Sequence, residues 1–431
     1  MTGGFFMKTL RRGSRGPDVE AAQLALTRAG YPIASDGIFG SDTYHSVLSF
    51  QNANSLAADG IIGPQTWRRL FPYLRGYTLH TVKTGDTYTL LAERYHSSIA
   101  AIAAANPSAI PENLRIGTVL TIPYDFPLVP TNIHYTSSLT GLIAEGLKAR
   151  YPFIVSTFYG SSVLGKPLRL LTIGTGDTEV FYNAAHHANE WITTPLLLKF
   201  IEEYASAYLS NGRLFNIPVS HIFDKTTLYM APLVNPDGVD LVTGAIAPGD
   251  EDYTKAAAIS ARYPSISFPS GWKANIKGTD LNLNYPAGWE RAREIKFSQG
   301  FTSPAPRDFV GSSPLSARES LATYLLTRQH NFSLTLSYHA QGEIIYWKYL
   351  DYLPPSSYEI GKRMSEASGY TLEETPYTSG FAGYKDWFIQ DYNRPGYTIE
   401  VGIGVSPLPL SQFDKIYRDN LGILALGMDL A

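Results

Sequence analysis

Residues 181–191, FYNAAHHANEW, bring two adjacent histidines to the end of a short apolar run and a glutamate three residues past the second. Imidazole nitrogens and carboxylates are what a zinc site uses when thiols are missing, and this chain has no cysteine. A catalytic zinc takes three protein ligands and keeps a fourth position open, so a lone H-x-x-E pair is incomplete. Two other apolar runs end in suitable groups: LTLSYHA delivers His339 and GYTIE delivers Glu400. His187 and Glu190, three apart at the start of a turn or helix, can aim at one point, and His339 completes the set. Glu400 is left as a carboxylate able to take a proton from the attacking water. Spacing favours His187 over His186, because the residue three beyond His186 is Asn189, a poor zinc ligand. A strand running through residue 186 would also turn that side chain away from its neighbour's. His186 is then a packing neighbour, and His45, His80, His96, His134, His221 and His330 are surface or core residues.

Placing these groups together requires strands that end side by side. The runs LRLLTIGT, EVFYNAA, TTLYMAPLVN, LTLSYHA and GYTIEVG alternate with helical patterns such as TTPLLLKFIEEYASAYL and SARESLATYLLTRQ. That alternation predicts an α/β domain with a mixed sheet covered by helices over residues 127–431. In such folds, sites gather at the carboxyl ends of strands, which is where the candidate residues fall.

The first third of the chain has a different grammar. ASDGIFGSDTYHSVLSFQ and AADGIIGPQTWRRL repeat one phrase, an Asp-Gly turn, an apolar pair, a glycine and a helix start, with Ser41, Asp42 and Pro64 at the helix entries. PDVEAAQLALTRAG precedes them as a short amphipathic helix, and residues 1–75 resemble the helical peptidoglycan-binding domain. Residues 76–126 read strand, helix, helix, strand: Thr87 N-caps the first helix, Leu90, Leu91 and Tyr95 form its inner face, and Asn106-Pro107 ends the second. The TGDT, NP and NLRIGTVLTIP signals resemble a LysM module, which implies a βααβ fold and binding of N-acetylglucosamine-containing glycans. Residues 124–132, YDFPLVPTN, read as a linker.

At 431 residues, 44% hydrophobic with 29 Tyr and 20 Phe, the chain can fill more than one core. A net charge of −3 argues against nucleic acid as the main partner. No apolar stretch long enough for a secretory signal or a membrane span is present in the sequence. Wall-directed modules without an export signal lead to the expectation of a bacterial protein, cytoplasmic or reaching the spore or cell wall by another route, with sporulation as one setting.

HHANEW, NPDG, GTDLNLN, SYHAQGE and the YTSG…DW…YTIE series occur in the order found in zinc carboxypeptidases. The resemblance implies one zinc on His187, Glu190 and His339, with Glu400 as general base. That family polarises the scissile carbonyl with an arginine following a tryptophan; here Lys273 holds the place. Tyr377 falls where the family has its mobile tyrosine, with Asp386-Trp387 following. Asn282 and Asn284 match substrate-binding positions. Between them, exo-acting relatives carry an arginine that grips the terminal carboxylate, and this chain has Leu283, which cannot. The pattern, with LNLNYP and YHAQGE, resembles family members that hydrolyse the γ-D-glutamyl–diaminopimelate amide of peptidoglycan stem peptides. The competing readings are a carboxypeptidase of ordinary peptides and a wall-binding protein without catalysis.

Overall fold

The computed structural model describes residues 8–431, which pack as two compact units. One comprises the chain up to His134 together with 138–155; the other comprises 135–137 and 156–431.

In the first unit the repeated phrase folds into two equivalent turns. Gln23 donates its amide to Asp36, the Ile38 carbonyl and Thr43, and accepts from the Gly37 N–H. Gln51 makes the same set with Asp59, the Ile61 carbonyl, Thr66 and the Gly60 N–H. The Asp-Gly turns therefore recur because each closes round a buried glutamine of the preceding helix. The helices that follow span Ser41–Ala53 and Pro64–Arg75, with Gly40 and Gly63 at the N-caps, so Ser41 is the first helical residue rather than the cap.

Strand β1 (Tyr77–Thr81) pairs antiparallel with β2 (Val119–Pro123), and helices Tyr88–Tyr95 and Ile99–Ala105 lie between them in the chain. Thr87 caps the first through the Leu90 N–H at 3.2 Å. Leu91 is buried as expected, but Leu90 is 46% exposed: residues 90 and 91 are a hundred degrees apart on a helix, and only one fits the small core. Residues 124–132 are not a loose linker. Arg150, on helix Ser137–Arg150, donates to the carbonyls of Gly76, Tyr124 and Phe126, and Leu128 and Val129 are buried.

The second unit is built on an eight-stranded mixed sheet. Its strands are β3 (Val155–Ser161), β4 (Pro167–Ile173), β5 (Thr178–Ala184), β8 (Thr226–Ala231), β9 (Leu334–Ala340), β10 (Ile344–Tyr346), β11 (Thr371–Glu373) and β12 (Gly396–Val401). A separate hairpin supplies β6 (Arg213–Leu214) and β7 (Ile217–Pro218). The order is β11-β10-β12-β9-β5-β8-β4-β3, with β5, β8, β9 and β12 parallel in the centre. The five apolar runs read from sequence are β4, β5, β8, β9 and β12. Every residue of β9 is buried, the near-continuous apolar signature of a strand covered on both faces. Helices Thr193–Leu209 and Phe413–Asp429 bury ten and eleven residues respectively, each large apolar side chain contributing about 1.5–3 kcal/mol. Among the described residues no helix is long and apolar enough to cross a membrane.

Candidate metal centre and active-site cavity

The parallel register decides which side chains meet. On β12 and β9, Glu400 stands opposite His339, and on β9 and β5, Tyr338 stands opposite Ala184. Strand β5 stops there, and Ala185 takes a left-handed conformation (φ 54°) that turns the chain out of the sheet. His186 is therefore not separated from His187 by strand alternation, as the sequence suggested, but by this turn. His186 points into the core, fully buried, with Nε2 3.0 Å from the Tyr285 hydroxyl. His187 precedes a short 3-10 turn, Ala188–Glu190, which swings Glu190 back beneath it.

The loop is held by the other motifs. Asn235 of NPDG caps helix Pro236–Thr243 through the Gly238 N–H and donates its amide to the carbonyls of His186 and Ala274. Residue 238 must be glycine, because a Cβ there would sit 2.6 Å from the Ala274 carbonyl and 2.8 Å from the Ala188 methyl. Ala188 in turn donates to the Lys273 carbonyl at 3.0 Å.

His187, Glu190 and His339 converge so that one ligand atom from each lies within 4.8 Å of the others. The two Nδ1 atoms are 3.2 Å apart, and the Glu190 oxygens lie 3.0 Å from His187 Nδ1 and 2.9 Å from His339 Nδ1. Two imidazole nitrogens and a carboxylate facing one buried point, with no thiol, suit zinc and leave a further position open. On its far side, His187 Nε2 lies 3.0 Å from Asp280 Oδ1, the carboxylate–histidine pairing that fixes a ligand's tautomer and leaves Nδ1 free for a metal. Asp280 was not foreseen as a functional residue, although GTDLNLN contains it. Burial opposes its charge, but His187 and the Asp308 N–H outweigh that and hold its carboxyl well below the usual range. Burial likewise opposes charge on His187, yet Glu190 and Asp280 push it up to about 9, whereas burial keeps His339 below its ordinary value.

His187, Asp280 and His339 line a cavity of about 250 Å³, with Glu190 buried behind them. Glu400 lines it; burial first, then the charge of Glu190, push its carboxyl up to about 8 against the pull of Lys273 and His187. Lys273 also lines it, with its ammonium 2.8 Å from Glu190 Oε1. Burial works against that charge, and Glu190 more than offsets it, so the lysine stays above its ordinary value. Asn282 is on the wall, its Oδ1 accepting from the Tyr384 N–H, and its NH₂ makes no hydrogen bond among the described residues. Leu283, 8% exposed, is the neighbouring wall residue.

Asn284 does not face the cavity, a correction to the expectation from its motif. Its amide is fully buried and spent on the carbonyls of Val310 and Ser313, the Ser316 hydroxyl and the Ala317 N–H. Tyr377 begins the 3-10 turn Tyr377–Ser379, whose neighbours Pro376 and Ser379 line the cavity. Its own ring is 58% exposed, 5.0 Å from the Phe381 ring and under the Arg291 guanidinium. Asn189 and Gln341 serve the 406 loop, through the Ser406 carbonyl and the Ser406 N–H.

A parallel-centred sheet with a His-Glu-His cluster and a carboxylate at its strand ends defines a metallohydrolase of the carboxypeptidase type. The zinc carboxypeptidase family model matches residues 143–422, and models of a peptidoglycan binding domain and of the LysM domain match 15–70 and 80–123. The chain belongs to the zinc carboxypeptidase family, and its cofactor is zinc. It is 40% identical over 303 residues to gamma-D-glutamyl-L-diamino acid endopeptidase 1 of Lysinibacillus sphaericus, covering 70% of this chain and 74% of that protein. It is 39% identical over 276 residues to the uncharacterized protein YqgT of Bacillus subtilis (strain 168), covering 64% and 72%. The crystal structure of thrombin activatable fibrinolysis inhibitor shares the fold, with a TM-score of 0.53 at 18% identity over 70% of this chain and 77% of that one.

Proposed function

We propose that this metallopeptidase hydrolyses the γ-D-glutamyl–meso-diaminopimelate amide in peptidoglycan stem peptides, with His187, Glu190 and His339 holding one zinc. The observation that carries the reading is the wall of the cavity: Leu283 lines it together with His187 and His339, at the position where an exopeptidase needs a cation. The 40% identity to an endopeptidase named for γ-D-glutamyl–diamino acid bonds supports it.

Zinc held there supplies Lewis-acid chemistry to the scissile carbonyl and the attacking water. Glu400 takes the proton of that water and returns it to the leaving amine. Its raised pKa suits both halves of the exchange, because a carboxylate that is too acidic accepts a proton poorly. Lys273 places a fixed positive charge at the cavity floor, where negative charge develops on the carbonyl oxygen. Asn282 offers its free NH₂ to the substrate, and Tyr377 covers the bound peptide from the turn above. Residues 1–75 and 76–126 act as the wall-binding parts, on N-acetylglucosamine-containing glycan, and 127–431 as the peptidase. Binding to the same polymer raises the local concentration of stem peptides without a new catalytic contact. We place the action at the bacterial cell wall, with sporulation as a setting.

The test offers L-Ala-γ-D-Glu-meso-diaminopimelate and a blocked dipeptide ending in Phe or Leu at equal concentration. Products are resolved by chromatography. L-Ala-D-Glu should form with the higher kcat/KM. A preference for the blocked dipeptide would mean that this is an ordinary carboxypeptidase.

A further inference from the structure

The cavity has four cationic side chains, and three of them are spoken for. Lys273 pairs with Glu190 at 2.8 Å, Lys385 with Asp386 at 2.6 Å and Lys296 with Asp308 at 2.6 Å. The fourth, Arg307, is different. Its Nε donates to Asp308 Oδ2 at 2.6 Å, so one carboxylate already neutralised by Lys296 faces two cations. The two terminal amino groups of Arg307 make no hydrogen bond among the described residues. Its side chain is 43% exposed, against 16% for Lys273, 11% for Lys296 and 4% for Lys385.

The backbone beneath Arg307 is tied to the metal centre. The Asp308 N–H donates to Asp280 Oδ2 at 3.1 Å, and Asp280 is the residue behind His187. The Pro306 carbonyl accepts the N–H groups of Lys273 and Ala274, at 2.8 and 2.9 Å. Asp308 itself adopts φ 65°, a left-handed conformation uncommon for a residue other than glycine. A strained, well-anchored backbone with a guanidinium whose fork is half free makes a rigid receptor for a planar anion. Leu283 offers none on its part of the wall.

We infer that Arg307 is a specificity-determining residue whose free amino groups bind a substrate carboxylate next to the scissile amide. This rests on the proposed γ-D-glutamyl–diaminopimelate substrate, which carries such carboxylates on both sides of the bond. One is the α-carboxylate of D-glutamate; the others belong to diaminopimelate. The shared chemistry is a carboxylate in reach of a guanidinium, and the experiment separates the sources.

Zinc-loaded full-length enzyme and its Arg307→Ala variant are assayed on the tripeptide, on its D-isoglutamine form and on forms amidated at each diaminopimelate carboxyl. Arg307→Ala should lose roughly 10- to 100-fold in kcat/KM, mostly through KM, the range of a charge-assisted hydrogen bond pair. One amidated substrate should cost the wild type the same factor and cost the variant less than about twofold more. The amide that shows this coupling identifies the carboxylate. Arg307→Lys should recover part of the loss. Full additivity of the variant with every amidated substrate would overturn the inference. So would a wild-type enzyme indifferent to all the amides, which needs no variant to fold. Zinc content near one per chain in the variant excludes an indirect effect through Asp308 and Asp280. Failure of the wild type to cleave the unmodified tripeptide would instead sink the proposed function and is read separately.

Discussion

Asp280→Asn is the sharpest probe of how the metal centre is held. The carboxylate has three partners: Oδ1 lies 3.0 Å from His187 Nε2 and accepts the Asn282 N–H at 3.2 Å, and Oδ2 accepts the Asp308 N–H at 3.1 Å. An asparagine with its oxygen towards His187 keeps the first two and turns an NH₂ against the Asp308 N–H. Two costs follow and fall on different observables. The hydrogen bond to His187 changes from charge-assisted to neutral, a loss of about 1–1.5 kcal/mol that is felt when the imidazole binds a cation. Removal of the negative charge behind the ligand lowers its basicity further. The two together amount to a zinc affinity about 10- to 100-fold weaker, the usual span for loss of such an outer partner. The orphaned Asp308 N–H costs about 1–3 kcal/mol of fold stability and little affinity. Competition against a chromophoric chelator measures the first effect, and thermal unfolding of the metal-free protein measures the second. Asn284→Ala is the control: its buried amide bonds are lost, so the melting temperature falls while zinc affinity holds. A zinc affinity for Asp280→Asn within twofold of wild type would refute the claim that Asp280 tunes His187.

Among the histidines, His187→Ala and His339→Ala should each lose zinc and activity together, while His186→Ala, whose ring sits on Tyr285, keeps most of both; metal analysis of the three decides it. Glu400→Gln should retain zinc and lose roughly 10²–10⁴ in turnover. Only deprotonated Glu400 accepts a proton, so kcat/KM should climb with pH through its pKa; Lys273 and the bound metal both lower that pKa, so Lys273→Met should move the acid limb to higher pH, and an unmoved limb would remove Glu400 as its source. In the first unit, Arg150→Ala removes the guanidinium that ties together the carbonyls of Gly76, Tyr124 and Phe126, the first two of which keep a backbone N–H donor. About 3 kcal/mol is at stake, roughly 6–12 °C in the unfolding of a unit of this size, readable by calorimetry.

Much of this molecule was determined locally, and such features are legible in sequence. Apolar runs with period-two exposure or continuous burial became β4, β5, β8, β9 and β12, because burial pattern is a property of consecutive residues. The Asp-Gly turns and the Thr87 cap are equally local. His187, Glu190, His339 and Glu400 could be nominated because each is a metal-binding or proton-accepting type at the end of such a run. Strand register, a non-local quantity, then decided that Glu400 and His339 are direct neighbours and that β5 stops beside them. Burial on a short helix chose Leu91 over Leu90. Hydrogen-bond satisfaction across 26 to 33 residues drew Asn284 into the core, although its motif looks the same as that of cavity-lining Asn282. Asp280 and Arg307 escaped notice because an aspartate and an arginine in loops carry no signal of their own. Their roles come from what folds against them: the imidazole of a ligand in one case, and in the other a carboxylate already shared with a second cation. Residue type and spacing thus determined which groups could do chemistry here, and the sheet's register and the loops packed on its edge decided which of them face one another.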